Sequence, residues 1–511
     1  MRNWTQRNQQ ISLLCVIAVL QLAIGVRANA QSATAETVAQ QLDRLSEAIK
    51  LTEEQVAASQ KQLVDLRREL EALKEQIAGQ QDSTVRPGNS DSATPDQSSQ
   101  NKLPAQTLED LSERQAVQQA EIATHEQSKI ESESKYPVKI SGLILFSTFS
   151  NSSTVDTSVT PSIALPGHGS TGASLRQTIL GIDARGPHLF GALSSADLRV
   201  DFNGTTASGT YNNTAGLARL RTAHAALNWH TTQIFFALDR PIISPNEPSS
   251  LTAVALPALA WSGNLWSWNP QFGIQHDVKF TPTYQLRLQT ALIDVADPPQ
   301  NYVSTTTQSQ SAPSASESSR WPGTQARIAL LGIDTRHPEE FGIGGYFSPH
   351  QTPYGRSFDA WAATLDYRLP LPAHWQWSGY AYRGLALGGL GGGAFKDYVY
   401  ALDPDLQTTY VQPLDDIGGW TQMKQRISER FEWNIAYGID NVFAGELRPY
   451  AGPTPGLYQN LARNRTFYSN VIYGPSAYLL LSLEYRHLQS SPVNAPTSPA
   501  YIFGLAAAYK F

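Results

Sequence analysis

From residue 136 to Phe511, apolar side chains recur at every second position in short runs separated by turn residues. A strand sends successive side chains to opposite faces, so each run has one apolar face and one small or polar face. In Tyr501–Phe511 (YIFGLAAAYKF), Tyr501, Phe503, Leu505, Ala507, Tyr509 and Phe511 share one face, and Gly504, Ala506, Ala508 and Lys510 the other. Sixteen strands are predicted, the first eight near 138–149, 174–185, 190–202, 217–229, 232–240, 271–280, 284–295 and 324–335. The other eight fall near 341–349, 357–369, 375–386, 418–428, 431–442, 465–473, 478–488 and 499–511. Tight turns at Gly186-Pro187-His188, Thr281-Pro282-Thr283, Leu369–His374 and Gly474-Pro475-Ser476 alternate with long loops at 150–173, 241–270, 296–323, 387–417 and 443–464. Strands long enough to span a bilayer, with short turns at one end and long loops at the other, predict a transmembrane antiparallel β-barrel. An even strand count puts both ends of the barrel on one side of the membrane. Residues 180–191 (LGIDARGPHLFG) and 331–342 (LGIDTRHPEEFG) align without a gap. Each reads as a strand end, a Pro turn and the next strand start, so the match is either a duplicated hairpin or chance.

A different period governs residues 36–78. Val38, Leu42, Leu45, Ile49, Thr52, Val56, Ser59, Leu63, Leu66, Leu70, Leu73 and Ile77 follow spacings of four and three without a break. That is a coiled-coil heptad with Leu42, Ile49, Val56, Leu63, Leu70 and Ile77 at a, and Leu45, Leu66 and Leu73 among the d positions. Glu69 at g and Lys74 at the following e suit a parallel pair. The seam predicts a homo-oligomer, while mixed Leu, Ile and Val at a leave dimer and trimer open. Residues 79–106 are rich in Ser, Gln, Pro, Asp and Gly and read as a flexible linker; residues 107–135 read as a weakly periodic connecting helix.

Residues 1–30 read as a secretory signal: Arg2 and Arg7, an apolar Ile11–Ile24, and Ala28-Asn29-Ala30 before Gln31. Cys15, the one cysteine of the chain, lies inside that segment, so the exported protein is expected to have neither disulfides nor thiol chemistry. Only 41% of residues are hydrophobic, yet there are 21 Tyr, 17 Phe and 11 Trp, as expected where every second strand residue faces water and aromatics ring the membrane interfaces. Residues 31–135 carry 11 Lys+Arg against 19 Asp+Glu, whereas residues 136–511 carry 24 against 25. The acidity belongs to the stalk, so the net charge of −6 says nothing about a pore.

Alternation assigns the strand faces. Ala196, Leu198, Val200 and Phe202 are predicted to face lipid, and so are Phe431, Trp433, Ile435, Tyr437 and Ile439, and Leu479, Leu481, Leu483 and Tyr485. Asp183, Arg185, Asp197, Arg199, Asp201, Asp334, Arg336, Asp366, Arg368, Glu484 and Arg486, with Glu432, Asn434 and Asp440, then point inward. Charge on the lipid face costs ~2–4 kcal/mol at mid-membrane, which supports this choice. Each charged group is either a pore-lining side chain or a wall residue paired across strands. No G-x-S-x-G, H-E-x-x-H or clustered metal spacing occurs. No enzyme activity, metal, cofactor or nucleic-acid partner is expected.

The signal, the N-terminal coiled coil, the first strand after Tyr136-Pro137-Val138, the R-x-R-x-A-H run at Arg219–His224 and the Tyr-rich last strand resemble the DcaP-like trimeric porins. The resemblance implies a sixteen-stranded homotrimer that passes small, mainly anionic solutes across the bacterial outer membrane, with its coiled coil in the periplasm. It adds Arg219 and Arg221 to the pore-lining candidates; strict alternation from them would point His224 and Asn228 at lipid, so a bulge or a subunit contact must intervene. A strand closing on Phe511, with Tyr509 before it, resembles the signal read by the barrel assembly machinery. By order, loop 241–270 corresponds to the loop that narrows general porins. Its apolar Leu251–Trp268 (LTAVALPALAWSGNLWSW) departs from a charged constriction, and either packs on the inner wall or reaches a neighbouring subunit. Passive diffusion of small hydrophilic solutes is the leading expectation. The alternative is a non-conducting barrel that spaces the envelope through its stalk.

Overall fold

A computed structural model describes residues 137–204, 216–302, 312–333, 339–403, 408–452 and 458–511. The predicted signal, coiled coil (Leu42 through Ile77), linker and connecting helix lie outside the described residues, as do Asp334 and Arg336.

Seventeen strand segments form one hydrogen-bonded sheet, and two of them make a single interrupted strand, giving sixteen barrel strands. They are β1 (Val138–Asn151), β2 (Ser170–Ser174 continued by Ile179–Leu189), β3 (Ala192–Gly204), β4 (Leu217–Asn228) and β5 (Thr232–Asp239). Then come β6 (Asn269–Lys279), β7 (Tyr284–Ile293), β8 (Gly323–Gly332), β9 (Glu340–Gln351), β10 (Ser357–Leu371) and β11 (Trp375–Leu385). The last are β12 (Asp415–Ser428), β13 (Phe431–Val442), β14 (Leu461–Tyr473), β15 (Leu479–Pro492) and β16 (Ser498–Lys510). Each strand pairs antiparallel with its neighbours in chain order, and β16 closes on β1 from Leu143↔Lys510 to Asn151↔Ile502. Closure leaves no free sheet edge, the condition for strands to sit in hydrocarbon.

The seam depends on two residues. Phe511 N–H donates to Gly142 O at 3.1 Å and Gly142 N–H to Phe511 O at 2.9 Å, extending the ladder past β16. A Cβ on Gly142 would come within 2.3 Å of the Phe511 ring, so glycine there makes room for it.

The alternation of faces holds. Tyr501, Phe503, Leu505, Tyr509 and Phe511 are exposed on the outside, while Ala500, Ile502, Ala506 and Ala508 are buried inside. On β13 and β15, Tyr437, Leu479, Leu481 and Leu483 face out, and Asn434, Asp440, Glu484 and Arg486 are buried within.

Two expectations fail. Gly186-Pro187-His188 is not the turn: the strand runs on to Leu189, Pro187 falls in a register irregularity between Arg185 and His188, and Leu189 pairs with Ala192. The turn is Phe190-Gly191, with φ of 51° and 77°, the pair of positive values a two-residue hairpin needs. The aligned segments 180–191 and 331–342 are therefore not duplicated hairpins. Leu180 pairs with Val200, whereas its counterpart Leu331 pairs with Glu340. Loop 387–417 also holds an unexpected hairpin, Tyr398–Asp403 with Thr408–Pro413.

Candidate functional site

Between β5 and β6 the chain turns into the barrel and runs along its inner wall. Thr364 of β10 donates to Ile243 O at 3.3 Å, and Asn246 bonds Asp366 at 3.5 Å and also meets Arg368. Ser249 N–H donates to Gln422 of β12 at 2.7 Å, and Ser249 O accepts from Tyr468 at 3.0 Å and Asn470 at 2.9 Å on β14. Ser250 then donates to Glu484 of β15 at 2.6 Å. Gln177, in the break of β2, donates to Thr252 O at 2.8 Å and accepts from the N–H groups of Val254 and Ala255 at 2.8 and 3.0 Å. The chain next meets Arg219 and Arg221 of β4 and doubles back to β14, where Asn464 donates to Trp261 O at 2.9 Å. Of the two placements open from sequence, the inner wall is the one observed.

Small residues make this approach possible. A Cβ on Gly438 of β13 would lie 2.1 Å from Ser262 O. Gly263, at φ +98°, brings its own Cβ position to 2.0 Å from Gly419 O. The apolar segment finds a core there: Ile243, Ala258, Leu259 and Leu265 pack with Tyr380, Tyr382, Trp420 and Tyr468 from the wall.

The loop divides the wall's charges into two groups. Under or beside it they are dry. Arg327 of β8 spans to Asp366 of β10 and Glu340 of β9, at 2.5 Å to each, with side-chain exposures of 2%, 0% and 11%. Gly342 lies under that bridge, and a Cβ on it would sit 2.5 Å from Asp366 Oδ2 and 2.6 Å from Arg327 Nη2. Arg486 and Glu484 pair at 2.6 Å, both buried.

On β2 to β5 most of the charges stay partly wet, Asp201 and Arg221 excepted. Arg199 meets Asp183 at 2.6 Å and Asp197 at 3.8 Å, with side chains 30%, 40% and 31% exposed. His224 bridges Asp197 at 3.0 Å and Asp239 at 2.9 Å. Arg219 and Arg221 converge on the buried Asp201 at 2.9 and 3.7 Å, and both guanidinium groups stack on Trp268, 5.1 and 4.7 Å from its ring centre. Arg219 also donates to Ala255 O at 2.7 Å, fixing the loop to this side. Arg185 is exposed at the short-turn end.

Of the bulge and the subunit contact that the mismatch at His224 and Asn228 left open, the strand shows the bulge. Register slips between Arg199↔Thr222 and Val200↔Leu220, leaving Arg221 as a bulge. The extra residue restores phase, so Arg219, Arg221, His224 and Asn228 all lie on the inner side. Sequence reasoning missed Arg327 and Glu340, though Gln325, Arg327 and Ala329 alternate with apolar residues in the same way as the assigned strands.

At the long-loop end, buried Lys396 of the β11–β12 connection donates to Ala394 O, Tyr458 O and Leu461 O at 2.8, 3.0 and 2.6 Å. Burial pushes its ammonium down to about 7, against the pull of Asp440 and Asp416. It ties this connection to the one before β14.

No family model matches the sequence, and no curated protein matches it. Among solved structures the outer-membrane channel DcaP of Acinetobacter baumannii is similar, with a TM-score of 0.54 at 16% identity, covering 74% of this chain and 99% of that one. An anion-selective porin from Comamonas acidovorans (TM-score 0.42, 9% identity, 74% of this chain and 100% of that one) matches more loosely. So does OprB of Pseudomonas putida (TM-score 0.43, 10% identity, 74% and 94%). The first match establishes a shared fold: a closed sixteen-stranded barrel of the DcaP type.

Proposed function

We propose that this protein is an outer-membrane porin through which small hydrophilic solutes diffuse passively, along the wet side of the wall. The single observation that carries this reading is the asymmetric lining. A loop inside the barrel covers Arg327, Glu340, Asp366, Glu484 and Arg486, whereas Asp183, Asp197, Arg199, Arg219, His224 and Asp239, with Arg368 at the edge of the cover, keep between 30% and 40% side-chain exposure. A structural barrel gains nothing from half-hydrated interior charges, since surface-like ion pairs contribute little stability. A water path needs them, because polar lining replaces the solute's hydration.

The solute class we assign is organic anions. Arg219 and Arg221 share one carboxylate, Asp201, leaving one cation in excess where the loop meets the wall. The face of Trp268 beside them suits a planar or apolar group attached to the anion. By this reading Arg185, Arg368 and the rest of the wet set are pore-lining, while Arg486 and Glu484 hold the loop. Phe511 and Tyr509 serve barrel assembly, and the heptads of residues 31–78 join subunits, in a trimer by the DcaP-type likeness, on the periplasmic side. Deleting residues 31–106 should weaken the oligomer on native gels and leave the barrel heat-modifiable.

Planar-bilayer recording with purified protein tests the main proposal. Stepwise conductance with a reversal potential favouring anions in a salt gradient is the expected result. A barrel that inserts without conducting would support the envelope-spacer alternative instead.

A further inference from the structure

Two arginines stand where a barrel strand ordinarily carries apolar side chains. On β14, Asn464, Thr466, Tyr468 and Asn470 are buried inside and bonded to the wall or the loop. Arg463 and Arg465 alternate with them and so lie on the outer face. Their neighbours on that face are Asn441 and Ile439 of β13 and Ser491 and Gln489 of β15, none of them charged. Among the described residues neither arginine forms an ion pair. The Nε of each is shut away from solvent without a hydrogen-bond partner.

Arg383 gives the contrast. It also faces outward near the long-loop end, but its charge is met by Asp415 at 2.7 Å, and its plane lies against Phe443 and Trp361 at 4.6 and 5.8 Å. Arg463 and Arg465 are two residues apart on one face, about 6.6 Å along the strand, so their charges repel unless an anion lies between them.

Height identifies the anion. Ten residues separate Arg463 from Tyr473 at the short-turn end of β14. At ~3.3 Å per residue and a tilt near 40°, that is roughly 25 Å, the height of the apolar band of such barrels. Arg463 therefore stands at the rim of that band, with Arg465 one step inside it. Just below on the outer face come Phe467, Tyr437, the stacked pair His487–Tyr501 and the tilted pair Tyr485–Phe503, with ring centres 4.8 and 5.3 Å apart, a surface for acyl chains.

We propose that Arg463 and Arg465 clamp the phosphate of a phosphorylated glycolipid in the outer leaflet, with its acyl chains lying on the aromatic surface beneath. Guanidinium groups hold phosphate through paired N–H donors, and they do so most strongly where water is scarce. The proposal rests on the outer-membrane orientation above but not on conduction.

The test measures lipid retention by purified protein in detergent, using native mass spectrometry with bisphosphorylated lipid A, its fully dephosphorylated form and inorganic phosphate as probes. Wild type should retain the phosphorylated lipid at least ten-fold better than the dephosphorylated one. The double variant R463Q/R465Q should lose that preference, R463K/R465K should keep part of it, and R383Q should keep all of it. Heat-modifiability on gels verifies that each variant is a folded barrel. Equal retention by wild type and R463Q/R465Q would overturn the clamp, as would competition by inorganic phosphate at matching concentration. A changed oligomeric state without a change in lipid preference would mean that an acidic group of a second copy is the partner, which also overturns it. Failure of wild type to insert into bilayers would sink the outer-membrane reading itself, a result separate from any lipid discrimination.

Discussion

The two sides of the inner wall are made by the same alternation and carry the same residue types, yet their charges do different work. Arg327, Asp366 and Glu340 form a bridge from which water is excluded, while Arg199, Asp183 and Asp197 form one in contact with it. What separates them is the folded-in loop, held by backbone bonds to Gln422, Tyr468 and Asn470 on one side and by Gln177 and Arg219 on the other. Inward charge in a barrel is thus no evidence of a pore-lining role by itself; cover decides. A dry pair is costly to break, because removing one partner strands a buried charge. A wet pair is cheap to break and instead sets the field that a solute meets.

The largest effect is expected where the cover itself is removed. Gly438→Val places side-chain atoms where Ser262 O now sits, and a close-packed interior cannot absorb that overlap. The loop should detach from β13 and single-channel conductance should rise. Unchanged conductance would mean that the loop does not bound the water path.

Next comes the dry bridge. Arg327→Met leaves the fully buried Asp366 without its ion-pair partner and Glu340 with only Arg368, 3.5 Å away, a loss of about 3–5 kcal/mol. The urea midpoint of the folded barrel should fall while the reversal potential stays put. A shift in ion selectivity without destabilisation would place Arg327 on the wet side and erase the division.

Arg219→Gln with Arg221→Gln should do the reverse. Removing two cations beside Asp201 turns the local excess negative, so the reversal potential should move towards cations, more at low salt, where screening is weak. Selectivity that is indifferent to both arginines would refute the anion assignment. The smallest effect is expected for Arg199→Gln. With Arg199 30% exposed, its stability cost should stay below ~1 kcal/mol, and its shift in reversal potential should be in the same direction but smaller.

The strand count and the faces of β13, β15 and β16 were legible because alternation is local and a closed barrel leaves each strand one lipid face. Asp366, Glu484 and Asn434 were placed inward for that reason, and they lie there. Their burial was not legible, since it depends on a loop more than a hundred residues away in sequence from each of them, as the Ser249–Gln422 contact illustrates. The irregularity at Arg221 was half legible: the mismatch between the two arginines and His224 called for a bulge or a subunit contact, and only the strand pairing decides for the bulge. Pro187 misled the turn assignment because proline often marks turns, whereas here Phe190-Gly191 takes the positive φ pair.

The chain has a single cysteine, Cys15, outside the barrel, which makes the division directly measurable by cysteine substitution. Asp183→Cys and Asn434→Cys place thiols on the wet and covered sides, at positions where the native side chains are 40% exposed and fully buried. A charged, water-soluble thiol reagent added during bilayer recording should reduce the conductance of Asp183→Cys within the recording and leave that of Asn434→Cys unchanged. Equal modification of both, or of neither, would contradict a water path confined to the side that the loop leaves open.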